Sequence, residues 1–181
     1  MNQDGLLRLI KQDLSRLSEQ TSFEKMSVQY WKVFHPRFIP VLIIRVANAC
    51  HTYALLRPVA FLFTWVNIIV FGIEVTPRCS IGGGLFLPHT SGTVIGAAKI
   101  GVNATIFQGV TIGAKYADMH FTLASRPIIE DDVLIGAGAK VLGDIRIGSK
   151  ATIAANSLVL ISLPYGATAI GVPAVIVGKH E

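Results

Sequence analysis

The chain has 181 residues, 51% hydrophobic and 15% charged, with a formal net charge of +5, which is enough to bury a sizeable core in one or two domains. The excess charge sits in the first part: residues 1–72 hold eight Lys/Arg against four Asp/Glu, and residues 73–181 hold eight against seven. No dense basic run supports nucleic-acid binding, two cysteines exclude a disulfide scaffold or cysteine metal cluster, and the polar, charged opening is not a signal peptide, so a cytoplasmic protein is expected.

Leu6, Leu9, Ile10, Leu14 and Leu17 recur at helical spacing between charged residues and predict an amphipathic helix over residues 4–20. Residues 22–34 predict a second short helix, ended at His35-Pro36 because a residue before proline avoids the α region. From Phe38 to Phe71 the sequence is strongly apolar, interrupted by Arg45, Asn48, His51 and Arg57 and divided by Pro58. Its second half, Val59 to Ile73, falls short of the roughly 20 residues that span a bilayer. A buried or interfacial helix packed against other subunits is expected there, with peripheral membrane contact as the alternative. Residues 1–72 are therefore expected to form an α-helical N-terminal domain.

From residue 73 the period changes to six. Ile129, Ile135, Val141, Ile147, Ile153 and Val159 form one column, continued upstream by Val75, Ile81, Leu87, Ile95, Ile100, Ile106 and Ile112. A second, mostly small column lies two positions earlier: Cys79, Thr93, Ala98, Ala104, Val110, Val133, Ala139, Ala151 and Ser157. Residues two apart on a strand share a face. Each hexad thus predicts one short strand and one turn, three hexads make a triangular coil, and stacked coils make a parallel β-helix over residues 73–181, closing with a C-terminal tail. The aliphatic run is expected to end near Ile161, where Leu163-Pro164-Tyr165-Gly166 breaks the pattern. Cys79, in the small inward column, is expected to be a buried free thiol.

The interruptions are where chemistry is expected, because a solenoid places insertions on its surface. Two extra residues fall between Leu87 and Ile95, in the turn Pro88-His89-Thr90-Ser91-Gly92. One residue is missing between Ile95 and Ile100, and about eleven are added between Ile112 and Ile129, from Ala114 to about Ser125.

The hexads, the turn from Leu87 to Gly92, the segment Ile135 to Gly143 and the tail Gly171-Val172-Pro173-Ala174 together resemble the serine O-acetyltransferase-like branch of the hexapeptide acyltransferases. The resemblance covers roughly Gly72 to Lys179 and implies a left-handed β-helix. It also implies acetyl-CoA as cosubstrate, no metal, and a homotrimer or a dimer of trimers joined through residues 1–72. By the same resemblance His89 is the general base, Glu74 its supporting carboxylate, and the turn at Gly113-Ala114 the oxyanion donor. The chemistry is coherent: a hydroxyl needs a base as it attacks a thioester, and an imidazole titrating near neutrality suits that task. The resemblance also places the CoA arm along Gly136, Gly138, Ala154 and Ala155, with Gly171, Pro173 and Lys179 lining the same groove.

Two positions depart from serine acetyltransferase. An aspartate precedes the base there, and here the acceptor-side residue is Pro88; an Arg-His-Pro segment there reads Ser125-Arg126-Pro127 here, leaving Arg126 without the second histidine. His120 lies too far from Pro127 to replace it. These losses point to a relative that acetylates a saccharide hydroxyl in capsule, exopolysaccharide or lipopolysaccharide synthesis, at the inner face of the membrane, with Tyr116 and Phe121 available to stack on a sugar ring. Serine O-acetyltransferase of cysteine biosynthesis is the alternative, weakened by a chain that ends Lys179-His180-Glu181 and not in isoleucine. A zinc-dependent carbonic anhydrase on the same fold would need three clustered histidines, and His89, His120 and His180 lack the spacing. A non-catalytic trimeric scaffold is the remaining class, against which His89 with Glu74 speaks.

Overall fold

The computed structural model describes residues 5–21, 33–118 and 120–179. The helix predicted over residues 22–34 lies almost wholly outside them. Three helices open the chain: α1 (Leu6–Gln20), α2 (Ile39–His51) and α3 (Arg57–Phe71). Pro40 and Pro58 sit in the first turns of α2 and α3, where a missing N–H costs nothing, and Gly72 closes α3 in the left-handed conformation.

The rest is a left-handed parallel β-helix of five coils, as expected. One face carries β1 (Ile73–Val75), β3 (Thr93–Ile95), β6 (Thr111–Gly113), β9 (Lys140–Leu142) and β12 (Leu158–Val159) in that order. A second face carries β2 (Ser80–Ile81), β4 (Lys99–Ile100), β7 (Ile128–Ile129) and β10 (Arg146–Ile147). The third carries β5 (Thr105–Ile106), β8 (Leu134–Ile135), β11 (Thr152–Ile153) and β13 (Ala167–Gly171), against which β14 (Ala174–Lys179) folds back antiparallel.

The thirteen column positions fall in register, so that Ile95 pairs with Ile112 and Ile112 with Val141. Almost all are fully buried, each stacking on its equivalent in the next coil. Between the second and third faces each coil turns through one left-handed residue, successively Gly84, Asn103, Asp132, Lys150 and Gly166. That conformation strains most side chains and explains the glycine, asparagine and aspartate in the hexads.

Three expectations change. Ala97, not Ala98, points inward, because the residue missing before Ile100 shortens the turn there. The solenoid does not stop at Ile161: Leu163 bridges to Ile147 and β13 continues the third face, giving a fifth coil with Ala167 and Ala169 buried. Finally, α3 is not buried within the chain. Leu62, Trp65 and Ile69 stand 61%, 61% and 75% exposed, and the 18-residue apolar segment Ala54–Phe71 is long enough to cross a membrane by length and composition.

The open end of the first coil is closed by α2, whose Val41 and Ile44 join the β-helix core. A buried ion pair fixes this cap. Arg45 donates from Nε and Nη2 to the two carboxylate oxygens of Asp13 on α1, at 2.8 and 2.9 Å, and from Nη1 and Nη2 to the carbonyls of Ile81 and Gly82. The backbone N–H of Leu85 donates to the same Asp13 carboxylate at 2.9 Å. A capped end is what a stack of repeats requires.

Cys79 is buried as expected, and burial pushes its thiol up to about 12 despite the backbone hydrogen bond from Ala97 and the nearby Arg45 and Arg126. Because the thiolate is the reactive form, a thiol reagent at pH 8 should leave Cys79 intact in the folded protein while reaching the half-buried Cys50. Counting modified thiols before and after denaturation checks this, and two fast-reacting thiols in the native protein would contradict it.

Candidate active site

His89 stands exposed on the extra turn between the third and first faces, where the first coil passes into the second. The turn is braced from the helical domain. Arg37 Nε donates to the Pro88 carbonyl at 2.9 Å, Thr90 Oγ1 donates to the Phe71 carbonyl at 2.7 Å, and the Gly92 N–H donates to the Gly72 carbonyl at 2.9 Å. The backbone on both sides of His89 is thus held while its ring faces outward.

Along this same edge stack the candidate CoA positions. The Gly138 N–H donates to the Gln108 carbonyl, the Asn156 N–H to the Ala137 carbonyl, and the Gly171 N–H to Ser157 Oγ, coil above coil. At about 4.8 Å per coil, Gly136 and Gly138 lie two coils from His89 and Ala154 and Ala155 three. The hairpin turn with Gly171 and Pro173 lies against the lower end. Lys179 is placed by its backbone, which pairs with Ala167. Gly136 has a reason of its own to be small, since a Cβ there would sit 2.6 Å from the backbone nitrogen of Ala155 in the next coil.

Glu74 is exposed on the outer side of the first face, opposite Val94. Among the described residues no hydrogen bond or ion pair joins it to His89. Gly113 and Ala114 lie on the opposite edge of the first face from His89, at the start of the long loop, with the Gly113 carbonyl accepting from the Gly143 N–H. A strand of three residues separates the two edges by about 10 Å. One chain therefore brings His89 together with the small-residue edge, and leaves the Gly113-Ala114 turn apart.

The long loop is pinned by Arg126. Its Nε and Nη2 donate to Asp118 Oδ2 at 3.2 and 3.1 Å, Nη1 donates to the Gly96 carbonyl at 2.9 Å, and the guanidinium lies 3.8 Å over the Phe121 ring. Ser125 Oγ and the Thr122 N–H donate to the same carboxylate. Burial acts to raise the Asp118 pKa, but the bonds from Thr122, Arg126 and Ser125 outweigh it and hold the carboxyl below its usual range. A depressed carboxylate pKa gives a contribution that is complete above the ordinary value and lost as pH falls through the folded one. The latch is therefore intact at neutral pH and opens only in acid.

Arg126→Ala should free the loop, and cleavage by trypsin after the exposed Lys115 should accelerate while the β-helix stays resistant. An unchanged digestion pattern would contradict the latch. Sequence reading missed Asp118, Arg37 and the Asp13–Arg45 pair. Asp13 alone carried a signal, as a carboxylate on the apolar side of α1 facing a region where Arg45 interrupts an apolar run.

A family model described as bacterial transferase hexapeptide (six repeats) matches residues 126–160. A serine acetyltransferase of Helicobacter pylori (strain J99 / ATCC 700824) is 38% identical over 157 residues, covering 83% of this chain and 88% of the relative. The chain belongs to the serine acetyltransferase family. A serine acetyltransferase of Staphylococcus aureus (strain Mu50 / ATCC 700699) is 49% identical over 107 residues, 59% of this chain and about half, 49%, of that protein. Solved neighbours are a Neisseria gonorrhoeae serine acetyltransferase in complex with serine (TM-score 0.80, 30% identity, 96% of this chain and 69% of that one) and a serine acetyltransferase in complex with CoA (TM-score 0.82, 28% identity, 95% and 69%).

Family membership makes this chain an acetyltransferase, as the resemblance implied. The saccharide O-acetyltransferase of polysaccharide synthesis expected above is overturned, because the relatives at 38% and 49% identity are serine acetyltransferases. That expectation rested on Pro88 and on the missing second histidine, with Arg126 and Phe121 offered as acceptor contacts; in the structure Arg126 is engaged by Asp118 and Gly96, and Phe121 packs against the Arg126 guanidinium. Ser125 serves the same latch.

Proposed function

We propose that this member of the serine acetyltransferase family transfers the acetyl group of acetyl-CoA to the hydroxyl of L-serine, with His89 as general base. The observation that carries the reading is the 38% identity to a serine acetyltransferase across 88% of that protein. The neighbours solved with CoA and with serine support it.

On this reading the imidazole of His89 accepts the hydroxyl proton as the serine oxygen attacks the thioester carbonyl. A tetrahedral oxyanion forms, backbone N–H donors stabilise it, and its collapse breaks the C–S bond; the proton then passes to the departing CoA thiolate. Glu74 acts in the proposal as the carboxylate that stabilises the imidazolium. The small-residue edge from Gly136 to Ala155, with Gly171, Pro173 and Lys179, takes the pantetheine arm.

The Gly113-Ala114 donor lies across the first face from His89, so the complete site needs the edge of a neighbouring copy. A homotrimer supplies it, and the exposed apolar side of α3 is then covered by further contact between copies, as in a dimer of trimers. Light scattering that gave a fully active monomer would overturn this arrangement.

Release of CoA thiol with L-serine as the varied acceptor tests the function, and no turnover above the hydrolysis background would overturn it. Pro88 occupies the place of the family's aspartate and offers neither charge nor N–H, so the serine ammonium lacks one counter-charge and a high KM for L-serine is expected. Pro88→Asp should lower that KM by about 10-fold or more, the equivalent of one charge-assisted hydrogen bond. An unchanged or higher KM in the folded variant would show that serine's ammonium is met elsewhere.

A further inference from the structure

A cavity of about 410 Å³ opens between α1, α2 and the turn that follows β1. It lies on the edge of the first face away from His89, two coils from Gly113 and Ala114, and none of the residues assigned to acetyl transfer lines it. Leu6, Leu9 and Ile81 supply an apolar wall. Two polar groups stand out against it.

Asn48 donates from Nδ2 to the Cys79 carbonyl at 2.9 Å, which fixes the orientation of its amide. Its Oδ1 is then buried with no hydrogen-bond partner among the described residues. A buried acceptor left open is costly, and only a donor can satisfy it. At the rim, the exposed Arg78 makes one side-chain hydrogen bond, from Nη1 to the His120 carbonyl at 3.1 Å, and no carboxylate pairs with it among the described residues. The field there is electropositive: burial, then Arg57 and Arg78, hold the neighbouring His51 below the ordinary imidazole pKa. A cavity of this size, mostly apolar with a few convergent polar groups, has the character of a small-molecule site.

We propose that this cavity binds a small aliphatic carboxylate bearing an N–H or O–H donor on the carbon beside the carboxylate, an α-amino or α-hydroxy acid with a branched side chain. The carboxylate meets the Arg78 guanidinium, the donor meets Asn48 Oδ1, and the side chain lies against Leu6, Leu9 and Ile81. Arg78 also holds the loop carrying His120 and Phe121, so an occupied cavity and the loop from Ala114 to Arg126 share a residue.

The test is calorimetry on the full chain with L-leucine as probe and 4-methylpentanoate, which lacks the donor, as control. L-Leucine is expected to bind with a Kd on the order of 1 mM or tighter. The control should bind at least about 10-fold more weakly. Arg78→Gln removes the charge at an exposed position, and Leu9→Trp fills the cavity; each should weaken L-leucine by at least about 10-fold, and saturating CoA should leave binding in place. Neither variant touches the residues assigned to acetyl transfer, so the activity assay stands as a separate readout. Absence of binding up to about 10 mM would overturn the proposal. So would equal binding of the control, or binding that L-serine displaces and that Arg78→Gln and Leu9→Trp leave unchanged, which would place leucine at the acceptor site.

Discussion

His89→Ala should lower the rate of acetyl transfer by about 10²–10⁴ while leaving the fold and CoA binding intact. A serine hydroxyl is almost wholly protonated at neutral pH, so its attack on a thioester depends on a base placed to take the proton in the transition state. The structure holds the turn of His89 from both sides, through Arg37 at Pro88 and Phe71 at Thr90, and keeps the ring at the surface. Removing the ring deletes the proposed base and leaves this scaffold in place, because none of the bracing bonds involves the imidazole. The loss should therefore appear in kcat, with circular dichroism and CoA affinity unchanged.

Arg37→Ala offers a contrast. On the proposed mechanism Arg37 acts as a positioning residue, and removing its bond to the Pro88 carbonyl should cost up to about 10² through misplacement of an intact base. A His89→Ala protein that folds, binds CoA and turns over near the wild-type rate would remove His89 from the mechanism.

The largest effect on stability is expected at Asp13. Asp13→Ala leaves the Arg45 guanidinium buried without its carboxylate and leaves the Leu85 N–H without its acceptor. Breaking one side of such a pair costs about 3–5 kcal/mol, since the attraction is lost while the desolvation of the remaining charge is not. For a chain of this size the melting temperature should fall by about 6–20 °C.

The same physics makes a second outcome expected. Replacing both partners, Asp13→Leu with Arg45→Met, should recover much of the loss, because two apolar residues of similar volume carry no desolvation cost. Urea unfolding of the three proteins measures both effects. An Asp13→Ala variant within about 1 kcal/mol of wild type would mean that the cap on the first coil does not depend on this pair. Hydrogen exchange should localise the damage to α1, α2 and the first coil, with the middle of the solenoid still protected.

The sequence by itself determined the repeating part of this protein. A period of six is compatible with few architectures, and an aliphatic residue at Ile129, Ile135, Val141 and their equivalents can be buried only by stacking on the same residue one coil away. The short strands up to Val159 and both insertions followed from counting, whereas the inward place of Ala97 and the continuation through Leu163 and β13 did not. Local turn chemistry was legible for the same reason, since Asn103 and Asn156 occupy left-handed positions that asparagine tolerates. The extra turn that carries His89 was legible because it broke the count.

What only the tertiary structure decided were contacts between elements far apart in the chain. Asp13 and Arg45 are 32 residues apart and meet because α1 and α2 pack over the same coil. Arg37 reaches Pro88 across 51 residues. Arg126 read as an open acceptor contact when seen beside Pro127, and became a latch once the loop had folded back on Asp118 and Gly96. The separation of His89 from Gly113 and Ala114 belongs to the same class, because which edge of a coil a residue occupies depends on how the coil closes. A repeat specifies its own core through near-neighbour stacking, whereas a charged side chain has no partner until the whole chain has folded around it.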